Sequence, residues 1–537
     1  MDTVTIVLGG IGLFLLGMIL MTDGLKSLAG DSLKQLLSKF TGGVFSAIVS
    51  GTVLTAILQS SSATTLMTIG FVSAGLLSFS QSIGVILGAN LGSTSTGWIV
   101  SLIGLKVSVG SFALPLIGIG ALLKFLTQRY APLGMALAGF GLLFLGIGTL
   151  QDGMSGVAEN VTLGSIGGPV FLQHILLVLI GMVMTIVMQS SSTAMVITLT
   201  ALAAQAVSFE QAALLVIGQH IGTTAKAFVV TIGGTIQARR TAMSHILFNC
   251  MTALLVFLLL PLILPGIFTT GRFLGINDDA TLLALFSTAF YIMGIAVVVP
   301  VLPLFTKWII RLVPENEDKL TKYLDASVAS VPSVAIEAAR RTLIRITKAI
   351  SGVGAELFTT KVLSPSMEKK LEEANIALIE TMQFLSKISN QSYSTSQKEY
   401  QQQVNLIHTS DHLTRLLKTL EEFDMNEYTN QNKTVQHLSE NMKQLFLEME
   451  QSLTYHNHKD LVKKVKVTSL EIAEIRRTNR KEIIKKTVLQ QADVDAAIEK
   501  VHTLHWIDRV AYHLWRSMHH LNKCRKAKDK VEEAEKN

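Results

Sequence analysis

The chain has 537 residues, of which 49% are hydrophobic and 16% are charged, and its formal net charge at pH 7 is +7. This length is more than one domain usually holds. The charge excess is small for the length, and no stripe of Lys and Arg alternates with aromatic residues, which argues against a nucleic-acid partner. The two cysteines, Cys250 in an apolar segment and Cys524 in a polar one, exclude a disulfide framework.

Charged and apolar residues divide the sequence into two parts. Residues 1–314 contain 20 charged side chains, whereas the remaining 223 residues contain 65. The apolar stretches of the first part are 4–21, 108–125, 135–150, 170–188, 243–267 and 282–310. Several have about 18 residues or more, the length that crosses a hydrocarbon core of about 30 Å as a helix. We therefore predict a multi-pass membrane domain at 1–314 and a soluble domain at 315–537.

The first apolar stretch is predicted to span the membrane and not to be a cleaved signal. Only Asp2 provides a charge before it, no small-residue cleavage pattern is visible, and further apolar segments follow.

The membrane domain contains an internal repeat. Residues 51–104 align with residues 181–234 without a gap, and 17 of the 54 pairs are identical. Most of the identical residues are polar or glycine, which a shared apolar composition would not produce. Duplication is therefore the better explanation.

A Gln-Ser-Ser-Ser run, at residues 59–62 and 189–192, lies between apolar segments and is expected at membrane depth. Irregular backbone is tolerated there only inside protein or beside a water-filled cavity, because unsatisfied polar groups are costly in hydrocarbon. A re-entrant hairpin or a broken helix explains both copies. A Ser can cap the new half-helix, whose free N–H groups and positive dipole end suit an anion. Secondary transporters have such sites between repeats.

A second repeated element, at residues 88–96 and 218–226, is predicted to form the opposite wall of the same cavity. Its paired glycines permit close helix approach, and its hydroxyl groups add ligands. Hydroxyl and amide oxygens also coordinate a small hard cation such as sodium. The alternative is that the small residues only allow close packing. Two copies of both motifs in register favour a binding site.

Two ionisable residues occur in the second copy of this element. His220 is either a functional group or a core histidine bonded to a backbone carbonyl. Lys226 is harder to explain structurally, because an ammonium within a membrane generally faces a cavity or a partner unless it reaches the interface.

The two Gln-Ser-Ser-Ser runs and the Gly-x-Asn-x-Gly-Ser-Thr element at 88–94 resemble the type II sodium/phosphate cotransporter family. The resemblance covers about residues 1–312. The polar tail resembles, less specifically, the PhoU-like domain of the bacterial branch. The resemblance implies a sodium-coupled transporter of inorganic phosphate in the bacterial inner membrane, whose cytoplasmic tail regulates it. Import and export remain open.

The resemblance also implies two sets of binding residues. The phosphate set is Gln59, Ser60, Ser61, Ser62, Gln189, Ser190, Ser191 and Ser192. The sodium set is Asn90, Ser93, Thr94, Thr64, Thr193, Thr223 and Thr224. His220 stands at the usual Asn of the family, and Lys226 at a usually small or hydroxylated position. We expect these two coupling variants to alter the ion or its stoichiometry, because Lys can replace a sodium ion and His can introduce proton dependence.

The soluble part has helical periodicity almost throughout. Core stripes at spacings of three and four begin at Ile336 and Val435, and breaks are expected at Pro365, 389–397 and 430–432. About six helices in antiparallel bundles follow from this pattern. The predicted fold class is therefore all-α, a polytopic membrane domain of two related repeats, expected to be inverted and with re-entrant hairpins, plus a cytoplasmic helical bundle.

The tail offers one candidate metal site. The resemblance implies acidic metal ligands at helical spacing on two helices, but only Asp411 and Asp508 stand at comparable positions, with Ile407 and Tyr512 four residues away. These aspartates are either ligands of a divalent or ferric metal or buried polar residues of a bundle.

An enzyme is not expected, because no nucleophile, base and orienter occur in a recognisable order and the tail has no phosphate-cradling Gly-rich loop. The expected partners are inorganic phosphate, sodium, the lipid bilayer and, through the tail, a phosphate-signalling protein or a second copy. Lys307 and Arg311 before the tail favour its cytoplasmic location. The alternative function is a membrane-embedded sensor or scaffold that binds phosphate without translocating it.

Overall fold

The computed structural model describes residues 2–39, 43–105, 109–126, 130–160, 169–231, 235–314, 319–325, 332–388, 397–423, 432–455, 459–489 and 493–524. Within these ranges all regular structure is helical, and no β-strand occurs. The chain forms two compact units. One comprises residues 1–72 and 76–315, and the other comprises residues 73–75 and 316–537.

Fourteen α-helices and one π-helical segment lie in the described part of the first unit. They are α1 (Asp2–Lys39), α2 (Val44–Leu58), α3 (Ser61–Ser73), α4 (Phe79–Ser93), α5 (Ser95–Ile99), the π-helical segment (Val100–Gly104), α6 (Val109–Leu126), α7 (Ala131–Asn160), α8 (Val170–Met188), α9 (Ser191–Ala203), α10 (Phe209–Gly222), α11 (Thr224–Thr231), α12 (Ile236–Phe273), α13 (Asp279–Val298) and α14 (Leu302–Leu312).

Seven helical stretches among the described residues are long and apolar enough to cross a membrane. They are Thr3–Leu28, Phe79–Gly104, Ala131–Gly156, Val170–Met188, Phe209–Val229, Ile236–Phe273 and Asp279–Val298. Four of the predicted apolar stretches, 4–21, 135–150, 170–188 and 243–267, lie inside α1, α7, α8 and α12. The stretch 108–125 overlaps α6, whose described apolar part, Phe112–Leu126, is shorter than a full span.

The apolar stretch 282–310 is divided between two helices. The helix α13 ends at Val298, and α14 begins at Leu302. Pro300 and Pro303 explain the interruption, because proline lacks an N–H and disfavours helical backbone at the residue before it. Pro303 is tolerated in the first turn of α14, where its N–H would have no intrahelical partner.

The two copies of the sequence repeat have the same local fold. Each consists of a helix, a break, a second helix, a turn and a third helix, which are α2, α3 and α4 in the first copy and α8, α9 and α10 in the second. The third helix begins with a reciprocal cap in both. Ser78 and Gln81 exchange side-chain and backbone hydrogen bonds in α4, as Ser208 and Gln211 do in α10.

Glycine allows the first and third helices of each copy to touch. A Cβ atom at Gly88 would lie 1.9 Å from the backbone oxygen of Ile48, and one at Gly218 would lie 1.9 Å from that of Val178. No side chain fits at either position. The repeated glycines therefore set the separation of α2 from α4 and of α8 from α10.

The second unit contains six helices in the part that the structure describes. They are α15 (Pro332–Thr360), α16 (Pro365–Ser386), α17 (Gln397–Glu421), α18 (Lys433–Tyr455), α19 (Lys459–Val488) and α20 (Val494–Lys523). This number agrees with the prediction. Pro365 begins α16, after Ser364 as the N-cap, and the stripes that begin at Ile336 and Val435 are buried. Most of the predicted breaks at 389–397 and 430–432 lies outside the described residues.

The close helix contacts yield a testable prediction. We expect Gly88→Ala and Gly218→Ala each to lower the melting temperature of the detergent-solubilised protein, because overpacking against rigid backbone costs about 1–3 kcal/mol. Gly118→Ala is the matched control, since a Cβ there would meet nothing within 4 Å. Fluorescence-detected size-exclusion chromatography after heating measures the effect. Equal melting temperatures for Gly88→Ala and Gly118→Ala would contradict the packing argument.

Candidate functional site

Both Gln-Ser-Ser-Ser runs break a helix at the same residue. The helices α2 and α8 end one residue before Gln59 and Gln189, whose φ angles are +50° and +52°. Residues other than glycine seldom adopt this left-handed conformation, which costs about 1–2 kcal/mol. The break that the sequence predicted in each run is therefore present, and its backbone geometry is repeated.

A serine caps the half-helix after each break. The Ser60 Oγ accepts a hydrogen bond from the backbone N–H of Ala63, and the Ser190 Oγ accepts one from that of Thr193, each at 3.2 Å. Such a cap satisfies one of the free N–H groups in the first turn. The N-termini of α3 and α9 thus present the remaining N–H groups and a positive dipole end.

One hydroxyl group links the first Gln-Ser-Ser-Ser run to the second. The Thr96 Oγ1 donates a hydrogen bond to the Gln59 Oε1 at 2.8 Å and lies 3.3 Å from the Ser192 Oγ. The Gln59 Nε2 donates to the Ser95 Oγ at 3.0 Å. The fold therefore brings together two motifs that are 130 positions apart in the chain.

Both copies of the repeat line a cavity of about 460 Å³. Its polar lining residues are Ser61, Ser62, Thr65, Thr185, Gln189, Ser190, Ser191, Thr223, Lys226 and His245. Five of the eight residues predicted to bind phosphate are among them. Gln59 and Ser192 are linked through Thr96 instead, and Ser60 caps α3. No aspartate or glutamate is among the described lining residues.

The predicted sodium ligands are more dispersed. Only Thr223 lines the cavity. Four of the predicted ligands each donate to the backbone carbonyl three residues earlier, at 2.6–2.8 Å; these are Ser93, Thr94, Thr223 and Thr224. Thr64 and Thr193 are fully buried beside the breaks. A hydroxyl that donates its proton to a carbonyl retains lone pairs for a cation, so these oxygens have the chemistry that sodium requires.

The cavity also contains a residue that motif reasoning missed. His245 on α12 is 5% exposed, and its Nε2 lies 3.1 Å from the Oδ1 of Asn90 on α4. The contact joins a predicted sodium ligand to the cavity wall. The available signal was an ionisable residue within the apolar stretch 243–267, because such residues in spanning helices generally face a cavity.

His220 lies in the core, with both ring nitrogens hydrogen-bonded. The Tyr291 Oη lies 2.8 Å from its Nδ1, and the Ser287 Oγ lies 3.2 Å from its Nε2. The ring also packs against Phe290 at 4.5 Å between centroids. His220 is not among the cavity-lining residues. These contacts agree with the core-histidine alternative, although the partners are side chains and not a backbone carbonyl.

Lys226 lines the cavity and contacts the second helix break directly. Its Nζ donates a hydrogen bond to the backbone oxygen of Gln189, at the C-terminal end of α8. The negative end of a helix dipole attracts a cation. The equivalent residue of the first copy is the uncharged Thr96, which contacts the first break through the Gln59 side chain. The two copies thus stabilise the same break with different chemistry.

In the tail, arginines pair with both candidate metal ligands. The Asp411 carboxylate lies 3.1 Å from the Arg415 guanidinium, and the Asp508 carboxylate lies 3.3 Å from that of Arg476. Among the described residues, no group of three or more His, Cys, Asp or Glu side chains is arranged to hold a metal ion. The arginine pairs therefore favour a structural role for both aspartates.

Histidines cluster where α17 packs on α20. The Nδ1 atoms of His412 and His513 are 3.3 Å apart, and the ring centroids of His408 and His520 are 4.9 Å apart. Burial and the Arg516 charge lower the pKa of His520 to about 4. Burial and the neighbouring His412 lower the pKa of His513 to about 4. The His513 and His520 rings are therefore neutral at pH 7.

A duplicated pair of broken helices, lining a polar cavity in an apolar multi-helical unit, defines a membrane transport protein. The chain belongs to the sodium/phosphate cotransporter family. The family profile described as Na+/Pi-cotransporter matches residues 13–152 and 168–299. This family consists of transporters, so the protein is not an enzyme, and phosphate is the substrate that membership supports.

Relatives extend this assignment. The "Uncharacterized protein YqeW" of Bacillus subtilis is 36% identical over 309 residues, which are 56% of this chain and 95% of the relative. The "Putative inorganic phosphate export protein YjbB" of Escherichia coli K12 is 27% identical over 383 residues, which are 70% of this chain and 68% of the relative. Its Salmonella typhimurium counterpart is 28% identical over 386 residues, with the same shares. No solved structure matches the chain significantly.

The histidine cluster predicts a pH-dependent stability of the tail. Between pH of about 4 and the ordinary histidine pKa of 6.5, the unfolded chain binds more protons than the folded chain. The contribution of His513 and His520 to the free energy of unfolding is thus fully present above pH 6.5, and it is lost as the pH falls through about 4. Amide hydrogen exchange of the whole protein, corrected for intrinsic rates, should show α17 and α20 losing protection at pH 5 relative to pH 7.5. The helix α16, which lacks histidine, is the internal control, and an equal loss there would contradict the assignment.

Proposed function

We propose that the protein is a sodium-coupled transporter of inorganic phosphate in the bacterial inner membrane. The main support is the cavity that both Gln-Ser-Ser-Ser runs line, through Ser61 and Ser62 in one copy and through Gln189, Ser190 and Ser191 in the other. Two capped half-helices begin at this cavity. Their free N–H groups, together with serine hydroxyls, form the donor-rich surroundings that an oxyanion needs.

The charge of the cavity supports an anionic substrate. Among the described lining residues, the Lys226 ammonium carries a positive charge, and no carboxylate is present to balance it. A buried anion requires a compensating charge or strong donors, because its transfer from water is otherwise very costly. This cavity offers phosphate both a compensating charge and hydrogen-bond donors.

Sodium coupling is supported by the hydroxyl oxygens of the second element. Ser93 and Thr94, with Thr223 and Thr224, use their protons on the backbone carbonyl groups three residues earlier. Their oxygens can still accept; the Thr94 oxygen already accepts one hydrogen bond, from Thr288, and has a second lone pair. We propose that some of these oxygens bind sodium together with phosphate. The proposal covers both directions, since the family description refers to cotransport and the name of the Escherichia coli relative refers to export.

We further propose that Lys226 is a tethered cation that replaces one sodium ion. Its ammonium contacts the carbonyl at the end of α8, where a bound cation would be stabilised by the helix dipole. In the first copy the equivalent residue, Thr96, is uncharged, so a free sodium ion would supply the positive charge. His220 receives no coupling role in this scheme, because both of its nitrogens are engaged by α13.

The remaining proposals concern topology and the tail. Repetition of the broken-helix unit supports two inverted repeats with re-entrant hairpins, as in other secondary transporters. Lys307 and Arg311 on α14 support a cytoplasmic tail. We propose that this tail is PhoU-like and regulates transport according to phosphate status, through a signalling protein or a second copy.

Flux of labelled phosphate in proteoliposomes tests the central proposal. We expect sodium-dependent uptake or efflux by the wild type, and a loss of about tenfold or more in a Gln59→Ala, Gln189→Ala double variant, because both helix breaks lose an amide. Gly118→Ala is the control for handling and reconstitution. Phosphate binding without flux in either direction would instead favour the alternative function, a membrane-embedded sensor or scaffold.

Lys226→Thr tests the tethered cation separately. It gives the second copy the residue that the first copy has at the same position. We expect phosphate flux to require more sodium, with a steeper dependence of the rate on sodium concentration, because a free ion must then replace the ammonium. Lys226→Arg, which keeps the charge, is the control. An unchanged sodium dependence in Lys226→Thr would refute the idea.

A further inference from the structure

The cavity has a buried nitrogen without a partner. His245 lines the cavity and is 5% exposed, and its Nδ1 has no hydrogen-bond partner among the described residues. Its Nε2 faces the Oδ1 of Asn90 at 3.1 Å, and its backbone oxygen accepts from the Nδ2 of Asn249 at 3.2 Å. The polar atoms of this residue are thus satisfied except for one.

The contact with Asn90 defines the chemical character of that nitrogen. With the Asn90 Oδ1 as the acceptor of this contact, the Nε2 of His245 carries the proton. The Nδ2 of Asn90 also has no partner among the described residues. A neutral imidazole has one N–H, and a buried ring is neutral because a buried charge is costly. The Nδ1 is therefore an acceptor that requires a donor.

A second unpaired group lies in the same wall as a result of divergence between the repeats. In the first copy, the Thr55 Oγ1 donates to the Thr64 Oγ1 at 2.8 Å. The second copy has Ala194 at the position of Thr64, and the equivalent hydroxyl, that of Thr185, has no partner among the described residues. Thr185 lines the cavity and is 3% exposed. Two residues that line the cavity therefore each carry a buried polar atom without a partner among the described residues.

Most other polar side chains of the cavity are hydroxyls, which can donate or accept, whereas an unprotonated imidazole nitrogen can only accept. Serine hydroxyls, the Lys226 ammonium and the N–H groups at the helix starts suit any tetrahedral oxyanion equally. Sulfate carries no proton near neutral pH, whereas phosphate carries one or two. A site with a buried acceptor therefore discriminates between them, because sulfate would leave the nitrogen unpaired and facing a bare oxygen.

We propose that His245 determines specificity by accepting a hydrogen bond from the P–OH group of bound phosphate, which rejects oxyanions without a proton. The proposal rests on phosphate transport as the function of the cavity and adds its means of discrimination. The Thr185 hydroxyl is the nearby adaptable group, which donates to an oxygen or accepts from a second P–OH. Asn90 is the positioning residue, since it holds the imidazole in the required tautomer.

The wild type alone provides the first test. Labelled phosphate bound to the purified full chain is displaced by unlabelled arsenate, sulfate or monofluorophosphate. Arsenate carries a proton near neutral pH, whereas monofluorophosphate has the phosphate charge and shape without one. We expect arsenate to compete, and sulfate and monofluorophosphate to compete at least about tenfold less well. Competition by monofluorophosphate equal to that of phosphate would overturn the proposal.

Two substitutions at His245 provide the second test. His245→Gln places an amide N–H near the Nε2 position and keeps the contact with Asn90, but it offers no acceptor at the Nδ1 position. His245→Asn places its carbonyl oxygen near the Nδ1 position. We expect the phosphate-over-sulfate affinity ratio to fall about tenfold in His245→Gln and to be largely retained in His245→Asn. Cys250→Ser on the same helix is the control.

The possible results distinguish a failure of the His245 proposal from a failure of the proposed phosphate transport. A ratio that is unchanged in His245→Gln, or reduced equally in both His245 variants, would show that His245 only supports the structure. Wild-type protein that binds no phosphate would refute the proposed function, and the inference with it. If both variants fail to fold, the monofluorophosphate competition still decides.

Discussion

The membrane unit depends on one constraint, which is that hydrocarbon satisfies no backbone hydrogen bond. A helix that breaks within the bilayer must therefore find its partners inside the protein. At both breaks a glutamine adopts the left-handed conformation and a serine caps the next helix. Thr96 donates to the Gln59 side chain at the first break, and Lys226 donates to the Gln189 carbonyl at the second. The polar cavity exists because these breaks require polar surroundings.

Duplication supplied the same backbone twice, and substitution then gave the two copies different roles. In the first copy hydroxyls pair with each other, as Thr55 does with Thr64, and Thr96 closes the break against Gln59. In the second copy the corresponding groups turn to the cavity or to other helices. Thr185 has lost its hydroxyl partner, and Lys226 brings a charge. The second copy consequently contributes most of the polar lining.

Glycine allows the helices of each copy to pack closely. Gly88 and Gly218 let backbones meet at distances that no side chain permits. The close contact holds the third helix of each copy against the first and so positions Asn90 near His245. The site thus combines polar groups at the breaks with close backbone packing between the first and third helices of each copy.

The sequence by itself determined the repeat, the position of both breaks, the helical fold and most of the polar residues that line the cavity, because these depend on local residue types within apolar segments. It also indicated six helices in the tail. The prolines at 300 and 303, which divide an apolar stretch into α13 and α14, and the Asp411–Arg415 pair within α17 are also local features, although hydropathy alone did not show them. Two features depended on tertiary structure. Arg476 of α19 pairs with Asp508 of α20, and α12 brings His245 to Asn90. These pairs join residues distant in the chain, and only the packing of helices decides which side chains meet.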